Sequence, residues 1–339
     1  MRSPDFNELL KVLKREKPSR PVLFEFFMND GIYQQLSGVK LKNAKDNEEK
    51  IRISIKAFEA AGYDYVTLPT WLYDGLKFVT ADHETKASIS LNEGFVITDR
   101  KSFEEYAWPD PDKGDYSAFE RNAKFLPRGM KFMGCCPGGV LENVISLVGY
   151  ERLCYMMFED EPLVQDIFDA VGKRLVRFYK IIMPIPSIGA TIVNDDWGFK
   201  TQTMLDTDSM RKYVVPWHKK IVEVIHRHNK PAILHSCGNL AEVMDDIIDV
   251  IGYDAKHSYE DGIIPVEEAI DKWGSRIAIM GGIDVDYLCR HTPEEVNARA
   301  KALVQKTGCK GYALGSGNSI PDFVPAENYL AMIRAAQHS

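Results

Sequence analysis

The sequence predicts an α/β fold. It reads as a single (β/α)8 TIM barrel spanning residues 1–339, with a β-hairpin-containing insertion after the second strand. Three observations predict it. Short apolar, β-branched runs alternate with longer amphipathic segments, and eight such runs occur along the chain. No Pro/Gly/Ser-rich linker, repeat or low-complexity tract divides them. No Gly-x-Gly-x-x-Gly follows the first run, as an open doubly wound sheet for dinucleotides would require. Strands separated by helices must pair in parallel, because parallel pairing needs crossovers, and eight units suggest closure.

The runs in order are Pro21 to Phe27, Tyr65 to Leu68, Lys131 to Cys135, Ala190 to Asn194, Ala232 to His235, Asp254 to Ser258, Ile277 to Met280 and Gly311 to Leu314. Helical patterns lie between most of them: Glu48 to Ala61, Glu161 to Ile182, Asp208 to His228, Leu240 to Ile251, Pro265 to Lys272 and Pro293 to Lys306. Residues 70–128 are too many for one strand-to-helix loop. Lys86 to Leu91 and Phe95 to Thr98 alternate around Asn92-Glu-Gly, which predicts a β-hairpin over the barrel mouth.

Composition narrows the function classes. There are 49 acidic and 42 basic residues, a net charge of -7, which argues against binding nucleic acid or an anionic membrane. No apolar run approaches the ~20 residues that span a bilayer. Met1 to Lys17 alternates Leu with charged residues and has no apolar signal core, so it predicts a surface helix. Six cysteines, two of them adjacent at 135 and 136, do not make a disulfide scaffold and predict reduced thiols in a cytoplasmic protein. No GxSxG, HExxH or nucleotide P-loop occurs.

Barrel chemistry sits at the C-terminal ends of strands. Those ends carry Asn29 and Asp30, Cys136-Pro-Gly-Gly, Asn194-Asp-Asp-Trp197, His235-Ser-Cys237, His257 with Glu260, Asp284, and Asn318. His235 and Cys237 are two apart on an extended backbone and so point the same way. An imidazole and a thiolate so placed suit zinc, with a third ligand to come from Glu260, Asp284, Asp196, Cys136 or Glu142. The alternative is a buried cysteine packed beside a hydrogen-bonded histidine. Asp195 and Asp196 repel when buried together, so one is expected to face the mouth and the other to cap or meet water.

Three motifs carry a resemblance: Ile233-Leu-His-Ser-Cys-Gly-Asn239, Gly281-Gly-Ile-Asp284 and Ile320-Pro-x-x-Val-Pro-x-Glu-Asn328. With Cys136-Pro-Gly-Gly they make the chain, from about residue 20 onward, resemble the uroporphyrinogen decarboxylase superfamily. The resemblance implies a (β/α)8 barrel and one of two chemistries. One is cofactor-free decarboxylation of a porphyrinogen. The other is zinc-dependent methyl transfer with a corrinoid (cobalamin) on a partner protein, as in methylcobalamin:coenzyme M methyltransferases.

The decarboxylase branch carries an Arg-rich segment where this chain reads Phe24-Glu-Phe-Phe-Met-Asn-Asp30, an acidic stretch that would repel a polycarboxylate. The methyltransferase branch is closer. His235 and Cys237 match its His-x-Cys, but Asn318 stands where that branch has its third ligand, a Cys.

The expectation is therefore a methyltransferase moving a methyl group between a small methylated compound or thiol and a corrinoid-binding protein. His235 and Cys237 would hold zinc, with Asp196, His257 and Glu260 in catalysis. Glu25, Asn29, Asp195, Trp197, Asp284 and Asn318 would line the substrate. The alternatives are a metal-free lyase, with Asp196 and His257 handling protons, and a non-catalytic binding barrel. The resemblance also allows a homodimer.

Overall fold

In a computed structural model, residues 2–69, 72, 75–81 and 91–337 are described. Eight strands form: β1 Val22–Leu23, β2 Tyr65–Leu68, β3 Lys131–Cys135, β4 Ile188–Asn194, β5 Ala232–His235, β6 Ala255–His257, β7 Ala278–Met280 and β8 Tyr312–Leu314. All pair in parallel in one sheet, ordered β1-β8-β7-β6-β5-β4-β3-β2. This is the cyclic order of a TIM barrel. Among the described residues no backbone ladder joins β1 to β2. A side chain bridges them: the Tyr65 hydroxyl accepts from Glu25 N and donates to Glu25 O, both at 2.7 Å.

The first strand is shorter than its apolar run predicts. Phe24 N still reaches Leu314 O at 2.8 Å. Beyond it the Glu25 backbone turns to the Tyr65 phenol, so the ladder ends while the residues stay buried.

Helices form where caps and apolar stripes coincide. Asp46 caps Asn47–Ala61 through Glu49 N at 2.7 Å, and Gly62 ends that helix in the left-handed region. Thr292 and Glu295 form a capping box ahead of Pro293–Thr307. Glu161–Ile182 buries Leu163, Ile167, Val171, Leu175 and Phe178 along one face, a helical period.

Two predicted helices are wound differently. The segment predicted over 208–228 holds a π-turn at Met210–Val214 before the α-helix Val215–Arg227. Pro216 sits in the first turn of that helix and has no N–H to give to the preceding turn. The segment predicted over 240–251 forms a 3₁₀ turn at Ala241–Val243 and a π-turn at Asp246–Ile251.

The predicted hairpin lies partly outside the described residues, since residues 86–90 are among those not described. Its second arm, Phe95 to Thr98, is not a strand. Val96 N and Ile97 N both donate to Leu147 O, at 2.8 and 2.9 Å, and Ile97 is fully buried. The segment packs on the end of the helix Val140–Val148 through these bonds rather than through a ladder.

Strand register builds the site. Asn194 pairs with His235, His235 with His257, and His257 with Met280. One row across the C-terminal edge thus carries three polar side chains on the same face.

Candidate metal centre

His235, Cys237 and Asp196 converge: one ligand atom from each lies within 4.8 Å of the others. The extended backbone leaving β5 carries His235 and Cys237 to one side, with Cys237 Sγ 3.8 Å from His235 Nε2. Asp196, two residues beyond β4, accepts from Cys237 N at 2.8 Å. Asn318, in the turn after β8, donates from Nδ2 to Cys237 Sγ at 3.1 Å. Ser258 adds a hydroxyl at 3.6 Å from the same sulfur. Its φ of 99° is rare for a side-chain-bearing residue, so local strain accompanies that placement.

Burial sets the charge states. It pushes the Cys237 thiol up to about 12, with Asp196 adding to the rise and the Ser258 and Asn318 contacts opposing it. It raises the Asp196 carboxyl. It holds His257 down at about 3, and His235 well below the ordinary imidazole range. Both imidazoles are therefore neutral, and their tautomers follow from their partners. His257 Nε2 lies 3.0 Å from Ser316 O, a carbonyl that only accepts, so Nε2 carries the proton. His257 Nδ1 is then an acceptor, and His235 Nδ1 donates to it at 2.8 Å. The lone pair of His235 is left on Nε2, facing Cys237. Phe26 packs on the His235 ring, with centroids 4.6 Å apart.

A carboxylate, an imidazole with its lone pair inward and a thiol, gathered on rigid strand ends, make a donor set that fits zinc. Two anionic ligands would balance a dication.

The remaining residues predicted for the site lie elsewhere. Asp195 is fully buried, accepting from Leu141 N and Glu142 N at 3.0 and 2.8 Å and from His218 Nε2 at 2.8 Å. It anchors the N-terminus of the helix Val140–Val148. Gly139 is required there, because a Cβ would stand 2.0 Å from Asp195. Trp197 is fully buried, edge-on to His218 at 4.8 Å. Asp284 caps the helix Val285–Arg290 and accepts from Asp261 N at 2.6 Å. Asn29 caps the helix Asp30–Ser37 and donates to Pro321 O and Val324 O at 2.8 and 3.2 Å, tying the turn after β8 to the end of β1. Glu25 is fully buried just past β1, held by Ser316. Glu260 is half-buried, and its carboxyl is raised by burial and then by Asp284. Cys136 is directed to Asn194 at 3.3 Å instead.

Sequence reasoning missed Lys256, Ser258 and Ser316. Lys256 is almost fully buried, its Nζ donating to Ser236 O and Ser258 O at 3.3 and 2.5 Å, so it staples the strand ends that carry Cys237 and His257. Burial pushes its amine down to about 8. A lysine inside an apolar strand run was the available signal, because lysine is rarely buried without partners. Lys256 and Glu260 also line a cavity of about 150 Å³ with Trp273 and Ile264. Neither His235 nor Cys237 lines it, so it lies beside the donor cluster, not over it.

An eight-stranded parallel α/β sheet with a candidate metal centre at its strand ends defines a class. The comparisons specify it further. The uroporphyrinogen decarboxylase (URO-D) family model matches residues 6–339, and the chain belongs to that family. It is 24% identical over 187 residues to methylcobamide:CoM methyltransferase MtbA of Methanosarcina mazei, covering 54% of this chain and 51% of that protein. It is 23% identical over 199 residues to uroporphyrinogen decarboxylase of Synechococcus sp., covering 57% of this chain and 52% of that protein. The chain thus spans about half the length of the curated relatives it matches. In fold it resembles a solved methyltransferase from Methanosarcina mazei, with a TM-score of 0.77, 18% identity and 97% of each chain covered. Among the described residues no helix is long and apolar enough to cross a membrane.

Proposed function

We propose that this chain is a methyltransferase that moves a methyl group between a small methylated compound or thiol and a corrinoid carried by a partner protein. The observation that carries the reading is the convergence of Asp196, His235 and Cys237. The methyltransferase relative and the structural likeness support it. On this reading the eight strands close as a (β/α)8 barrel, the insertion of residues 70–128 caps its mouth, and the protein works in the cytoplasm. Zinc held by Asp196, His235 and Cys237 would supply Lewis acidity and lower the pKa of a thiol bound to it.

The chain's own residues position and orient. His257 holds His235 in the tautomer that turns its Nε2 lone pair inward. Asn318 and Ser258 contact the Cys237 sulfur. Phe26 shields the imidazole face from water. Glu260 is half-buried at the edge, where its carboxyl feels the charges of Asp284, Lys256 and Asp196. Asp196 would replace, as a hard anionic ligand, the thiolate that Asn318 does not provide.

The test is metal content after purification without chelator, together with methyl exchange between methylcobalamin and a panel of small thiols, followed by corrinoid absorbance. Stoichiometric zinc and exchange that His235→Ala and Cys237→Ser abolish are expected. A chain that retains no zinc and exchanges no methyl group refutes the reading. Carbon dioxide release from uroporphyrinogen at enzyme-like rates would assign it to the decarboxylases instead.

A further inference from the structure

Glu25 is fully buried just past β1, and among the described residues none of its hydrogen bonds goes to the three candidate ligands. Its surroundings are nevertheless specific. Ser316 Oγ lies 2.8 Å from Glu25 Oε1 and 2.9 Å from Oε2, and Glu25 Oε1 accepts from Phe26 N at 3.0 Å. The same hydroxyl also makes a very short contact with Asn318 O.

A hydroxyl has one proton to give. Asn318 O is a carbonyl and only accepts, so the Ser316 proton goes there. The Ser316–Glu25 contact then needs its proton from Glu25. Oε1 already accepts from Phe26 N, so Oε2 is the oxygen that carries it. An ionised Glu25 would either face the Ser316 lone pairs or take the proton from Asn318 O.

The backbone N–H groups of Phe26 and Ser316 favour the carboxylate and burial outweighs them, while the other groups facing Glu25 bring no positive charge. From β2 comes Tyr65, whose hydroxyl is occupied by the Glu25 backbone. Tyr33, Tyr63 and Tyr329 surround it, and Tyr63 pairs with Tyr329 at 2.6 Å. Beyond Ser316 stands neutral His257. Among the described residues no Lys or Arg pairs with Glu25, so nothing neutralises a carboxylate there.

We propose that Glu25 acts as a neutral carboxylic acid, a positioning residue that holds Ser316 and through it sets both Asn318 and His257 against the candidate metal centre. Ser316 is the joint. Its hydroxyl fixes the Asn318 backbone, while Asn318 Oδ1 accepts from Ser319 N at 2.7 Å and Nδ2 is left for Cys237. Its carbonyl takes the His257 proton that fixes the tautomers. The inference goes beyond methyl transfer and does not depend on a bound metal.

Burial pushes the Glu25 carboxyl from its ordinary value of 4.5 up to about 8. The folded value is the higher one. The neutral acid therefore contributes its full stability below about 4.5, and that contribution is lost as pH rises to about 8.

The test uses the full chain and Glu25→Gln, whose amide donates to Ser316 and accepts from Phe26 without titrating. The thermal midpoints of wild type and E25Q should meet near pH 5. Wild type should fall a few degrees below the variant by pH 8.5. At pH 7 the infrared difference spectrum should show a carboxylic-acid carbonyl band in wild type that E25Q lacks. With asparagine labelled by 15N, and Asn318 assigned through Asn318→Asp, the Asn318 side-chain amide resonance should be unchanged in E25Q and shifted in Glu25→Ala. An E25Q that is destabilised at every pH, a missing acid band, or an Asn318 resonance unmoved by loss of the Glu25 side chain overturns the proposal. If E25A does not fold, the pH profile and the infrared band still decide it.

Discussion

Asn318→Cys tests the metal centre where this chain departs from the methyltransferase branch it resembles. Asn318 Nδ2 stands 3.1 Å from Cys237 Sγ. Two thiolates sharing one tetrahedral zinc lie roughly 3.8 Å apart, given zinc–sulfur bonds of about 2.3 Å. A cysteine side chain is one bond shorter than asparagine, so the new sulfur retreats toward that separation without moving the turn. A complete structural zinc site is worth roughly 10–16 kcal/mol, which assigns about 3 kcal/mol to one of four ligands. That is about a hundredfold in Kd. A third anion beside Asp196 and Cys237 offsets part of it, so a gain of about ten- to a hundredfold is expected. Zinc affinity is measured under reducing conditions by competition with a chromophoric chelator. Cobalt substitution should show stronger sulfur-to-metal charge-transfer absorption. An unchanged or weakened Kd in a folded variant would mean that position 318 does not face the metal, and the assignment of Cys237 as a ligand would go with it.

Asp195→Ala removes two helix N-terminal contacts and leaves buried His218 without its carboxylate. Urea unfolding should show a loss of about 3–5 kcal/mol, and a loss below about 1 kcal/mol would show that Asp195 does not anchor the helix Val140–Val148. His257→Phe keeps a flat ring but removes the acceptor for His235 Nδ1. Metal affinity should fall about 10–100-fold with little change in the far-UV spectrum, and an undiminished affinity would remove His257 from its orienting role.

The strands were legible because apolar runs of the right length recur between amphipathic segments, and each observed ladder overlaps its run. The short β1 was not, since a hydroxyl from another strand takes over its backbone groups. His235 and Cys237 were legible through the period of two. Adjacent Asp195 and Asp196 separate as that period requires, one anchoring a helix and one facing the donors. Asn29 and Asp284 resemble site residues in a bare sequence. Each also stands just before a helix, where Asn and Asp serve as caps, and that signal outweighed position at a strand end. Nothing in the sequence marks Ser316. Its importance comes from a carboxyl just past β1, an imidazole on β6 and a carbonyl in the turn after β8, which the fold brings together.

The phenol bridging β1 and β2 has a consequence for how the wall breathes. Elsewhere around the sheet, separating two strands breaks several amide bonds together. Here one fully buried side chain holds two backbone groups in place of a ladder. Amide exchange at Glu25 should therefore report the lowest-energy opening of the sheet and run ahead of the amides in β4 and β5. The groups that Tyr65 holds are the backbone N–H and carbonyl of Glu25, the buried acid bonded to Ser316.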